Sequence, residues 1–65
     1  MPTPKQEAIF IVNSLMERAK SGELEKIDIY DIREAVKGAD TIHFKQLTTH
    51  QFEQMVTLEL VNRIN

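Results

Sequence analysis

The chain has no cysteine and no tryptophan, only two glycines and two prolines, no long apolar run and no excess of basic over acidic residues. Each absence excludes something. Without cysteine, neither a disulfide framework nor a thiolate zinc site can supplement the core. A 65-residue chain lies near the size limit for a self-sufficient core. Its stability must then come from close helix packing or from a partner subunit. Gly22 and Gly38 are isolated, so the chain has no Gly-rich loop of the kind that cradles phosphate. The longest purely apolar run, residues 8–12, is far shorter than the roughly 20 residues that cross a bilayer. The amino terminus also lacks a basic start followed by a hydrophobic stretch, and a cytoplasmic, non-membrane protein is expected.

Charge argues against a polyanion as the main partner. The net charge is −2, with +1 over residues 1–22, −3 over residues 23–40 and zero over residues 41–65. Nucleic-acid binders usually display a basic patch, because neutralised phosphates supply most of their non-specific affinity.

The chain's content is that of an ordinary globular domain, 42% hydrophobic and 28% charged. Thr3-Pro4-Lys5-Gln6 reads as a helix start, with Thr3 as cap, Pro4 at the first helical position and Gln6 closing a capping box. From there Ala8, Val12, Leu15, Met16 and Ala19 share one helical face, with Ile9 and Ile11 at its edges. Phe10 breaks this pattern and points to the polar side. Lys20-Ser21-Gly22 is the stop signal. After a charged connector in which Leu24 is expected to touch the core, Asp28 caps a second helix. Asp31 favours its dipole, Ile27 and Ile32 form a staple, and Ile29, Ile32 and Val36 make the buried stripe. A strand over residues 27–29 is the alternative, but the helical spacing continues through Val36. Tyr30 is expected at the core border with its hydroxyl in water. Residues 39–47 fit neither period cleanly; a short helix over 41–47 is preferred to an extended segment. Thr48, with Gln51 three residues on, opens the last helix.

The expected fold is therefore all-α: one domain with main helices over 4–20, 28–37 and 49–64 and a short helix over 41–47. The last helix is the unusual one. Phe52, Val56, Leu60 and Ile64 form one ridge, whereas Met55, Leu58 and Val61 form a second on another side. A helix apolar on two sides needs cover on both. Large exposed apolar patches mark interaction sites. The reading is a non-enzymatic interaction or regulatory module that binds another protein, dimerises through this helix, and uses Phe10, Met55, Leu58 and Val61 as its partner surface. The competing reading buries both ridges within one chain.

Chemical sites are poorly represented. Asp40 with His43 and His50 with Glu53 have the spacing of helical ligand pairs, but local hydrogen bonding at the surface is much the better explanation. Ser14 and Ser21 lie far in sequence from either histidine, so no nucleophilic triad is legible. No metal, cofactor or catalytic residue is expected. A helix-turn-helix outline over residues 28–47 is the alternative function, with His43, Lys45 and Gln46 facing the major groove. It is disfavoured by the acidic helix before it and by a single firm cation in the would-be recognition segment.

Overall fold

The computed structural model describes residues 3–39 and 47–64. These form three α-helices, α1 (Pro4–Lys20), α2 (Ile29–Gly38) and α3 (Thr49–Ile64), and no strand occurs among the described residues. Of the short helix expected over 41–47, residues 41–46 lie outside the described residues. Leu47 is non-helical and rests half-buried against the core.

Each helix begins with the same reciprocal device. The Thr3 hydroxyl accepts from the Gln6 backbone N–H at 3.1 Å, and the Gln6 amide oxygen accepts from Thr3 N–H at 3.0 Å. Thr48 and Gln51 repeat the arrangement, at 3.1 Å to the hydroxyl and 2.9 Å to the amide oxygen. At α2 the carboxylate of Asp28 accepts from Tyr30 and Asp31, and Asp31 reaches back to the Asp28 N–H at 3.0 Å. Asp31 therefore completes a box as well as favouring the dipole. Such caps satisfy amide donors that have no partner within the helix, each worth about 1 kcal/mol.

The end of α1 is equally well defined. Gly22 adopts φ +88°. Its N–H donates to Ala19 O at 3.2 Å, while Glu23 N–H donates to Arg18 O at 2.9 Å, the double closure of a Schellman motif. Arg18 Nε also donates to Glu23 Oε2 at 2.8 Å, across the same turn. Gly38 differs from Gly22: it is the last helical residue of α2, its φ is not positive, and an added Cβ would meet nothing within 4 Å. Opposite outcomes follow. Gly22→Ala should lower the melting temperature by several degrees, from about 1 kcal/mol of left-handed strain. Gly38→Ala should leave it unchanged or raise it, by up to about 1 kcal/mol of reduced unfolded-state freedom. Thermal melts at one protein concentration compare them directly.

The core is a single cluster of Ala8, Ile11, Val12 and Leu15 from α1, Ile32 and Val36 from α2, and Phe52, Val56 and Leu60 from α3. Helix α3 packs most extensively, first against α1 and then against α2, while α1 and α2 touch least. Five details differ from the sequence expectation. Ile11 is buried and not marginal, because α1 faces two neighbours. Met16 and Ala19 are correspondingly only half-buried. Ile29 is exposed. It occupies the first turn of α2, beyond the core layer, and the preceding Ile27 tucks in instead. Tyr30 projects into solvent. Ile64 is exposed too, because the last turn of α3 overruns the layer of side chains that ends at Leu60.

Candidate functional site

The question raised by the last helix is how its two apolar ridges are covered. Only one is sealed. Phe52, Val56 and Leu60 face the core; Met55, on the second ridge, lies partly buried against it. Leu58 is 63% exposed and Val61 45% exposed.

The charges of α3 explain why this outward face differs from an ordinary wet one. The helix contains only Glu53, Glu59 and Arg63 as fixed charges, and none of the three falls on the Leu58–Val61 side. Glu53 is turned toward α2, where its Oε1 accepts from Arg33 Nε at 3.4 Å. The carboxylate is mostly covered and the guanidinium mostly exposed, so the pair fixes direction more than it adds stability. Arg63 reaches α1, its Nη1 donating to Asn13 Oδ1 at 2.6 Å, and not to Glu59 as the helical spacing suggests. Glu59 is itself half-buried. Polar duty on α3 is thus performed at the seams with α1 and α2. The outward face keeps Gln51, Gln54, Leu58, Val61 and Asn62, all exposed and none charged.

This inverts the usual amphipathic arrangement, in which charged residues lie opposite the core. Gln54 and Asn62 were not singled out from sequence, and Gln51 only as a capping partner, though a signal existed: no Asp, Glu, Lys or Arg occurs on that side of the helical wheel.

The chain matches no family model, no curated protein and no solved structure. Its function has to be argued from the surface itself.

Phe10 belongs to another surface. It is 69% exposed and lines a groove of about 260 Å³ between α1 and α2, with Ile11 and Leu15 on one wall and Ala35, Gly38 and Ala39 on the other. Glu7, Ser14 and Arg18 complete the lining, and no α3 residue contributes. The four residues grouped as one partner surface are thus divided: Leu58 and Val61 face outward on α3, Met55 is half-covered, and Phe10 borders the α1–α2 groove.

The remaining candidates are quickly placed. His43, Lys45 and Gln46, the DNA-reading residues of the alternative, lie outside the described residues, as does Asp40. His50 Nε2 lies 3.3 Å from the Gln54 amide nitrogen, whereas Glu53 engages Arg33. The second ligand-spaced pair is thereby split between different partners. Among the described residues no group of three or more His, Cys, Asp or Glu side chains could hold a metal ion. No helix among them is long and apolar enough to cross a membrane.

Proposed function

We propose that this chain is a non-enzymatic interaction module of the cytoplasm that associates with itself through the outward face of α3 and acts by binding another protein. The observation that carries the reading is the exposure of Leu58 and Val61 on a helix face without any fixed charge. Burying a Leu or Val side chain is worth roughly 1.5–3 kcal/mol, and covering a face that carries no charge avoids the largest desolvation cost, that of an ion.

Leu58→Asp tests this. The substitution adds an ionised group at a site exposed in the single chain, so helix content should persist while association is lost. Analytical ultracentrifugation over a wide concentration range, paired with circular dichroism, separates the two effects. A wild-type chain that sediments as a monomer throughout, and recovers no partner in a pull-down, would remove the proposal.

A further inference from the structure

We infer that the occupant of the outward face of α3 is a second copy of α3, lying parallel and in register with the first. This deepens the association reading above and rests on it. Gln51, Gln54, Leu58 and Val61 succeed one another at intervals of three, four and three residues, the spacing of a two-stranded helical seam. All four are exposed or border exposed neighbours along one line of the helix, and the core residues Phe52, Val56 and Leu60 lie behind them.

The seam is polar in its amino-terminal half and apolar in its carboxy-terminal half, and that asymmetry selects the orientation. In a parallel two-fold pair every level meets its own kind. Gln51, whose amide oxygen already accepts from Thr48 N–H, and Gln54, whose amide nitrogen lies beside His50, face their counterparts with their remaining donor and acceptor capacity, and Leu58 and Val61 face theirs. Full-length antiparallel overlap would set Gln51 against Val61 and Gln54 against Leu58, covering amide groups with apolar side chains that offer no hydrogen bond. The unfavourable alignment of two helix dipoles in water is the smaller effect.

Charge agrees with self-pairing. A parallel pair also brings together the positions that flank the seam, where like charges would repel. These are His50, Met55, Thr57, Asn62 and Ile64, none with a fixed charge. A partner of strong charge would find nothing complementary here, whereas an identical neutral face is complementary to itself, as a two-fold contact requires. The contact is small. A 16-residue helix is about 24 Å long, and one face of it covers less than the roughly 1,200 Å² typical of stable complexes, so the dissociation constant should be on the order of micromolar or weaker.

Because the full chain has no cysteine, single substitutions report the geometry cleanly. Gln51→Cys, Gln54→Cys, Leu58→Cys and Val61→Cys are each oxidised at high micromolar concentration, with the exposed Glu34→Cys on α2 as control. The parallel pair predicts covalent dimer from all four, at rates about tenfold or more above the control, since every level lies close to its own counterpart. The Gln54 variant keeps both apolar residues and the Thr48–Gln51 box, so neither lost hydrophobic contact nor a lost cap can account for a failure there, whereas Gln51→Cys also removes the side-chain acceptor of that box. Cross-linking confined to one level, the one nearest a perpendicular two-fold axis, would show an antiparallel pair and overturn the inference. Control-level rates at all four positions in a chain that still sediments as a dimer would place the interface elsewhere, overturning the inference while leaving self-association intact. A monomer at every concentration would remove both.

Discussion

Phe52→Ala should cost most of the folding free energy and leave a large unfolded fraction at 25 °C. Phe52 is 1% exposed and heads the largest fully buried side chains. It comes from the helix that packs most extensively against the other two. Truncating a buried Phe typically costs about 3–5 kcal/mol, part lost transfer energy and part cavity. At roughly 0.05–0.15 kcal/mol per residue, a chain of this length has only about 3–10 kcal/mol in total. Urea titration followed by circular dichroism, at one protein concentration for both proteins, should show the midpoint displaced to little or no denaturant. A midpoint close to that of the unsubstituted chain would mean that Phe52 does not anchor the three helices.

Val56→Asp should be at least as damaging at neutral pH. Val56 has no exposed surface, and the described core contains no buried polar residue that could receive a carboxylate. An ionised group there forfeits its hydration and finds no hydrogen bond, a cost of several kcal/mol. The pH dependence provides the check. Burial favours the neutral form, so the introduced carboxyl would titrate above its ordinary value of about 4 in the folded chain. Its penalty is then greatest at neutral pH and shrinks as the group protonates on acidification. Helicity of Val56→Asp should therefore recover partly between neutral and mildly acidic pH, relative to the unsubstituted chain scanned in parallel. Leu58→Asp, only two residues along, should keep its helix content throughout. Similar unfolding by both would contradict the assignment of opposite faces.

Much of this architecture was legible because its signals are local. Thr3 with Gln6 and Thr48 with Gln51 need only a three-residue spacing to form a box, and both do so. The Gly22 stop is likewise a property of one turn, set by the residue that tolerates positive φ. Less legible were the residues whose burial depends on a neighbour's reach. Ile29 and Ile64 continue apolar patterns correctly and still stand in solvent, because a helical wheel has no ends and a packed layer does. Ile11 moved the other way. Its burial required α2 on one flank of α1 while α3 occupied the other, which periodicity within α1 cannot express.

The surface shows the same division. Helical spacing alone placed apolar ridges on two sides of α3, and that reading required no coordinates. Which part remained uncovered was a tertiary matter. Met55 was drawn against the core, Phe10 went to a groove on the α1–α2 side, and Arg33 and Asn13 received Glu53 and Arg63 from α3. Local sequence thus determined where the helices begin, where α1 stops and which faces are apolar, since capping and periodicity act over a few residues. Only the packing of three helices decided which apolar residues remain in water, because burial depends on what lies opposite a side chain, and that is supplied by residues distant in the chain.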